Sequence, residues 1–304
     1  MSGMAPVPRG REIEFLPGVE PLAARYDGFV LDLWGVIHDG ITAYPGVVDT
    51  LARLKRAQKR TVLLSNAPRR AQEVVVAMEK MGIPRDHYDA IVSSGEAAHR
   101  ALGRRREPGA DPWLASLGAR GYLMGPPRDR GMLDGIALER VVDMAAADFI
   151  LATGVVWDDD KLDIYLPALE AGAERHLKMV CANPDLVVIR GGKRVICAGT
   201  LAQRYERLGG EVRYFGKPYA PIYADCLAQL GIAERARVIA VGDSLRTDIA
   251  GAEAADIASV LIPGGIHGDE LGIAHGGMPD AAALAALCAR AGHWPDAAIP
   301  AFRW

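Results

Sequence analysis

Residues 28–36 read Gly28-Phe29-Val30-Leu31-Asp32-Leu33-Trp34-Gly35-Val36, an apolar run that stops on an aspartate and passes at once into a tight, glycine-bearing loop. A run that is apolar along its whole length, not on alternate residues, is how a strand of a parallel sheet reads when both its faces are covered. The same form returns at 60–65 (RTVLLS), 90–94 (AIVSS) and 236–241 (ARVIAV). Helical patterns lie between these runs, at 47–57, 71–81, 96–106, 220–230 and 247–254. The alternation predicts an α/β fold, a Rossmann-like doubly wound parallel sheet with crossover helices.

The alternation changes character after the basic, Pro/Gly-broken stretch RRREPG at 104–109. A second set of elements follows: YLMG (122–125), DFILATG (148–154), a helix over 159–173, KMVCA (178–182) and VVIRGGKRVICAG (187–199). The last reads as a hairpin turning at Gly191 and Gly192. From 212 (VRYFGKP) the first pattern is read as resuming. The expected organisation is therefore a core in two parts, 1–106 and 212–304, interrupted by a smaller α/β cap domain over 107–211; a chain of 304 residues has room for both.

Composition narrows the function classes. With 35 Lys+Arg against 38 Asp+Glu the net charge is −3, which argues against a nucleic-acid backbone or an anionic membrane as main partner. Half the residues are apolar and 24% are charged, which fits a globular domain and not a disordered chain. Cys181, Cys197, Cys226 and Cys288 form no C-x-x-C pair and suit a reducing compartment. The opening MSGMAPVPRGREIEF has prolines and charges where a secretory signal needs an apolar core. The most apolar long stretch, 141–157, is broken by Asp143 and Asp148 and falls short of the ~20 residues that span a bilayer. A cytoplasmic protein with no membrane segment is expected.

Open parallel sheets bind ligands at the carboxyl ends of their strands. Here those ends offer Asp32, Ser65-Asn66, Lys217, and Asp243 with Asp248. Any one of them alone reads equally as a helix cap or a loop hydrogen bond. Together they match the needs of phosphoryl transfer: an in-line nucleophile, a cation and donors for the phosphate oxygens. Asp32 can be the nucleophile, since carboxylates serve as phosphoryl acceptors. Magnesium takes oxygen ligands and keeps several waters, so Asp32, Asp243 and a loop carbonyl would suffice. Lys217 supplies positive charge, and Ser65 a hydroxyl donor.

The motifs Asp32-Leu33-Trp34-Gly35-Val36, Leu64-Ser65-Asn66, Gly216-Lys217-Pro218 and Gly242-Asp243-Ser244 through Thr247-Asp248 resemble those of the haloacid dehalogenase superfamily. Their order fits the subclass whose large α/β cap lies between the second and third motifs. GDSLRTDIAGA (242–252) is similar to that of its nucleotide, sugar, phosphoglycolate and pyridoxal phosphatases, and Cys181-Ala182-Asn183-Pro184-Asp185 resembles its cap-loop motif. The resemblance implies a magnesium-dependent hydrolase acting on a small phosphorylated metabolite. Asp32 would form an aspartyl-phosphate; Ser65, Asn66 and Lys217 would bind the phosphate. Asp32, Asp243, Asp248 and the backbone carbonyl of Trp34 would hold the metal, while Asn183 and Asp185 would face the site from the cap. Caps of this type often pair, so a homodimer is one outcome the resemblance allows.

One departure stands out. The family's phosphatases carry a second aspartate two residues after the nucleophile, as proton carrier; this chain has Trp34. Loss of a general acid/base costs about 10²- to 10⁴-fold in rate. His38 and Asp39 are candidate replacements, against the alternative that His38 is a loop donor and Asp39 part of an Asp-Gly turn. Two other functions follow from the same residues: a catalytically impaired phosphoester-binding protein, and a metal-independent 2-haloacid dehalogenase. Arg104–Arg106 read as a solvated face, and Arg190 and Arg194 as hairpin arginines that either reach an acidic substrate or stay in solvent. The small-residue helix at 281–291 reads as packed on the core or at a subunit contact.

Overall fold

The computed structural model describes residues 12–190 and 193–304. Its strands are β1 (Glu14–Phe15), β2 (Gly28–Asp32), β3 (Arg60–Ser65), β4 (Ala90–Ser93), β5 (Arg120–Met124), β6 (Glu139–Val141), β7 (Phe149–Ala152), β8 (Lys178–Cys181), β9 (Val187–Arg190), β10 (Lys193–Ile196), β11 (Val212–Tyr214), β12 (Val238–Gly242), β13 (Ala258–Leu261) and β14 (Ala297–Ala298). The larger sheet has the order β1-β14-β13-β12-β2-β3-β4, and all its pairs are parallel. From β2 the chain builds outward one way through β3 and β4, then returns and builds the other way through β12, β13 and β14. The reversal falls between β2 and β12, where Leu31 lies beside Val241. A crevice opens at such a switch point, outside the carboxyl ends of the strands.

Burial explains why these strands read as unbroken apolar runs: every residue of β2 and β12 is buried. Successive side chains point to opposite faces. Phe29 and Leu31 therefore pack with Leu51 and Leu54 of helix Val47–Arg56 and with Val74 and Met78 of helix Ala71–Lys80. Val30 faces the other way, toward Ile222, Tyr223 and Cys226 of helix Ala220–Leu230.

The second sheet runs β11-β8-β7-β5-β6, again all parallel. Its membership corrects the expected boundary at 212, because Val212–Tyr214 pairs with Met179–Cys181 of β8 in the smaller sheet. Val212 and Tyr214 also pack on that sheet's own apolar cluster. A three-residue strand has too little pattern to say which sheet it joins. In consequence Lys217 is delivered by the segment that returns from the smaller sheet, not by a strand of the larger one.

Three further differences have local causes. The helix expected over 159–173 begins only at Leu166–Glu174, because Pro167 suits a first turn and cannot donate within a helix. Asp160 instead accepts from Tyr165 Oη at 2.6 Å and from Trp157 N at 3.0 Å. Of the basic run, Arg105 is buried and donates to the Leu102 and Ala137 carbonyls at 3.1 and 2.8 Å, so it ties helix Ser94–Gly103 to the inserted segment. Arg104, paired with Glu107, and Arg106 are exposed, as a solvated face requires.

Helix Ala281–Ala291 packs Leu284, Leu287 and Cys288 against Leu245, Ile249 and Leu261, which places it on the core. The hairpin β9–β10 pairs antiparallel from Val187–Ile196 to Arg190–Lys193. Its turn glycines Gly191 and Gly192, and most of the opening residues weighed as a leader, lie outside the described residues. The four cysteines are buried and free. Among the described residues no helix is long and apolar enough to cross a membrane.

Candidate active site

Asp32 ends β2, Ser65 ends the neighbouring β3, and Asp243 follows β12 on the other side. Lys217 Nζ joins them: it donates to Asp32 Oδ1 and, at 2.7 Å, to Asp248 Oδ1. All five residues are buried. Asp32, Asp243 and Asp248 each bring a carboxylate oxygen within 4.8 Å of the others. One ammonium thus faces three carboxylates, all of them buried. Burial opposes charge on Lys217, but Asp248 and Asp32 outweigh it and keep the ammonium protonated. The surplus negative charge shows on the acids: burial, then Asp248, raise Asp32 well above the usual range and Asp243 to about 8. Such a donor set fits a divalent cation, which would relieve that repulsion through hard oxygen ligands.

The backbone holds the acids in place. Asp243 Oδ2 accepts from Ile266 N at 2.7 Å, and Asp248 Oδ2 accepts from Ser244 N at 3.1 Å. Between Leu245 and Ile249 the chain takes a wide π-turn, so that the amides of Asp248 and Ile249 both donate to Ser244 O. Gly35 is a loop residue with no room for a side chain. Its φ is +75°, and a Cβ would overlap Asp243 Oδ2.

Asn66 is engaged by the protein itself. Its Oδ1 accepts from Lys217 N at 2.7 Å, and its Nδ2 donates to Asp185 Oδ1 at 2.9 Å and to Lys217 O at 3.3 Å. The side chain proposed for phosphate therefore acts as a clamp on the lysine segment and the cap loop. Ser65 Oγ accepts from Ala67 N at 3.1 Å, which leaves its hydroxyl proton for a ligand. Asn183 Oδ1 accepts from Asp185 N at 3.0 Å, fixing the loop that carries Asp185 over the site. Burial raises the Asp185 carboxyl, with Lys217 pulling the other way.

Each candidate proton carrier is tied into the loop through one of its atoms. Asp39 Oδ1 accepts from Ile41 N at 2.8 Å and Thr42 N at 2.7 Å, and these turn amides, chiefly that of Thr42, lower its pKa. His38 Nδ1 accepts from Gly40 N at 3.0 Å, and burial pushes the ring down to about 4, so it is neutral near pH 7. Both are loop-forming residues here. Asp39→Asn, which keeps one acceptor for the turn, is expected to leave turnover within about threefold of wild type; a loss like that of a general acid, about 10²-fold or more, would contradict this assignment.

Trp34 itself is well placed for contact. Its indole meets His38 edge-on at 5.2 Å, and the Arg190 guanidinium from β9 lies 5.5 Å from its ring centroid. Gly40 has φ +90°, and a Cβ there would run into the indole. Gly40→Ala is therefore expected to destabilise the protein by about 1–3 kcal/mol in denaturant melts. Adding Trp34→Ala should recover the steric part of that loss, since the two sites are in contact.

Sequence reasoning missed two residues that join cap to core. Arg190 reads in the sequence as a hairpin arginine that reaches an acidic substrate or stays in solvent, and its place over Trp34 is not legible there. Arg246, the basic residue inside GDSLRTDIAGA, donates to Pro184 O at 2.8 Å and lies 3.9 Å from Asp185. A basic side chain within a motif otherwise made of acids and small residues was the available signal. The site opens into a cavity of about 490 Å³ lined by Asp32, Lys217, Asp243 and Asp248. A second cavity of about 350 Å³ adjoins it across Trp34, Asn66 and Asp185.

Comparison with known proteins agrees with this arrangement. A model of the haloacid dehalogenase-like hydrolases matches residues 29–138, and a second, HAD-hydrolase-like model matches residues 214–287. Chronophin from Bos taurus is 28% identical over 251 residues, covering 75% of this chain and 78% of that protein. A D-glycerol 3-phosphate phosphatase from Mycobacterium tuberculosis is 24% identical over 260 residues, covering 82% and 66%. A solved hydrolase of the haloacid dehalogenase-like family from Brucella suis 1330 superposes with a TM-score of 0.79 at 29% identity, covering 94% of this chain and 99% of that one.

Proposed function

We propose that this chain, which belongs to the haloacid dehalogenase-like hydrolases, is a magnesium-dependent phosphatase of small phosphorylated metabolites that works through an aspartyl-phosphate on Asp32. The observation that carries the reading is the Lys217 ammonium between Asp32 and Asp248, with Asp243 beside them and the Ser65 hydroxyl at the next strand end. In the metal-bound enzyme Asp32, Asp243, Asp248 and the Trp34 carbonyl are the proposed ligands. The cation would offset charge on the phosphoryl oxygens and on the three acids.

Asp32 contributes the attacking oxygen. Lys217 holds that carboxylate in place through one oxygen and leaves the other for the phosphorus. Ser65 donates to a phosphoryl oxygen. The P–O bond to the leaving group breaks as the bond to Asp32 forms; water then attacks the phosphorus and returns the carboxylate. With Asp39 and His38 engaged, the ester oxygen departs without a proton from the loop. Turnover should therefore favour leaving groups of low pKa, p-nitrophenyl phosphate over alkyl phosphates. The free, buried cysteines support a reducing, cytoplasmic setting. Exposed Val142, Trp157 and Ile164 on the inserted segment support pairing through the cap.

The direct test is phosphate release from a metabolite panel with and without magnesium. Stability gives a second. Asp243 sits at about 8 in the fold against 3.8 ordinarily, so its contribution favours the folded state at low pH and is lost as pH rises through 8. His38 works oppositely: held at about 4 against 6.5, its contribution is complete above 6.5. Between pH 6.5 and 8 the melting temperature of the metal-free protein should fall while magnesium affinity rises. Asp243→Asn should flatten both slopes; unchanged slopes in that variant would contradict the assignment.

Trp34 in the proton carrier's place, with both nearby substitutes engaged, favours one second reading: a phosphoester-binding protein with little turnover. No phosphate release from any substrate, together with a melting shift by a phosphorylated metabolite, would select it. A dehalogenase would release halide from a 2-haloacid with no metal present, and the acid trio gives that reaction no use for a cation.

A further inference from the structure

The second cavity is not a passive extension of the first. Ser65, the proposed phosphate donor, lines it, whereas Asp32 and Lys217 line the catalytic one. A phosphoryl group at the junction would thus direct its ester substituent into the second cavity. Three arginines line that space: Arg69 from the loop after Ser65, Arg128 from the cap and Arg190 from β9. Arg190 is neutralised by Asp158 at 2.7 Å. Arg69 makes no ion pair among the described residues, and Arg128 reaches only Asp129, at 3.9 Å.

Asp129 and Thr153 also line the cavity, and both are buried. The Asp129 carboxylate and Thr153 Oγ1 lie close to one another, and neither has any other hydrogen-bond partner among the described residues. A buried polar group left unpaired costs free energy that a ligand can recover. Burial raises the Asp129 carboxyl, with Thr153 and Arg128 pulling the other way. Arg128, its side chain 48% exposed, stands beside Asp129 and within the field of Arg69 and Arg190. The Arg69 backbone is fixed, since Ser93 Oγ donates to its carbonyl at 2.7 Å. The pocket therefore presents two guanidinium groups, Arg69 with no ion pair and Arg128 half-exposed beside Asp129, next to the buried Asp129 and Thr153 side chains.

We propose that this cavity receives the leaving group and selects one that carries a second anionic group, a carboxylate or a phosphate, held by Arg69 and Arg128, with Asp129 and Thr153 bonding to its hydroxyls. The proposal rests on the phosphatase reading for which side of the phosphoryl group faces the cavity. Guanidinium groups bind carboxylate and phosphate through paired donors, and a neutral leaving group would leave Arg69 without a partner and Arg128 with only its long contact to Asp129.

The test is isothermal titration with magnesium into the full chain bearing Asp32→Asn, so that no ligand is turned over. 3-Phosphoglycerate is compared with glycerol 3-phosphate, and fructose 1,6-bisphosphate with fructose 6-phosphate. At least one dianionic-site ligand should bind about tenfold or more tightly than its counterpart. The carboxylate arm and the phosphate arm show which source the site takes. Adding Arg128→Gln, or separately Arg69→Gln, should shrink that ratio to below about threefold. Equal affinities within both pairs, absence of binding by all four, or a ratio indifferent to both substitutions would overturn the inference. Phosphate release by the wild type is measured alongside. No release with the ratio intact would defeat the phosphatase reading alone, and release with a flat ratio would defeat this one.

Discussion

Asp32→Asn is expected to lower phosphate release by more than about 10⁴-fold, since it removes the atom that bonds to phosphorus. The substitution keeps shape and changes charge. It also removes one of the three carboxylates around Lys217, so the metal-free variant should be no less stable than wild type. Loss of activity with a preserved or raised melting temperature separates a chemical role from a structural one. Residual turnover within about tenfold of wild type would mean that another group attacks the phosphorus.

Trp34→Asp should have the second largest effect, and in the opposite direction. A carboxyl at this position would supply a proton to the departing oxygen and then accept one from water, whereas Asp39 and His38 are bonded to loop amides. The gain in kcat/KM, which reports transfer of the phosphoryl group to Asp32, is expected on the order of 10²-fold for an alkyl phosphate, whose leaving group needs the proton most, and far smaller for p-nitrophenyl phosphate. Arg190 lies over the indole and would pair with a carboxylate placed there, holding it ionised. The double variant Trp34→Asp/Arg190→Gln removes that competitor and should show the fuller gain. Equal changes for both substrates would mean that proton transfer is not what the site lacks.

The two expected results depend on features that were visible to different degrees in the sequence. The central strands β2, β3 and β12 were legible because both of their faces are buried, so sequence pattern and environment coincide. Their adjacency sets the strand ends that carry Asp32, Ser65 and Asp243 side by side. β13 and β14 were not legible: Ala258-Ser259-Val260-Leu261 and Ala297-Ala298 are too short and too small to stand out from loop sequence. β11 was found but placed in the wrong sheet, because pairing partners of a three-residue strand are a tertiary choice.

The same limit applies within the site. That Asn66 bonds to both the lysine segment and the cap loop depends on a contact across 151 residues, which no local pattern records. Arg190 belongs to a hairpin tip, where solvation is the ordinary state; only the approach of that hairpin to Trp34 makes it part of the site. Asp129, in the stretch Pro126-Pro127-Arg128-Asp129-Arg130, reads as a surface turn and is nevertheless buried against the second cavity.

The central claim is that Asp32 carries the phosphoryl group. Acid-quenched enzyme, taken milliseconds after mixing with magnesium and p-nitrophenyl phosphate and read by peptide mass spectrometry, addresses it directly. Without a proton carrier to activate water, the covalent intermediate should accumulate. The account predicts one phosphoryl group on the peptide containing Asp32, labile to hydroxylamine, with a burst of nitrophenol of up to one equivalent per chain. A phosphoryl group on any other residue, or steady phosphate release with neither burst nor adduct and undiminished in Asp32→Asn, would contradict it.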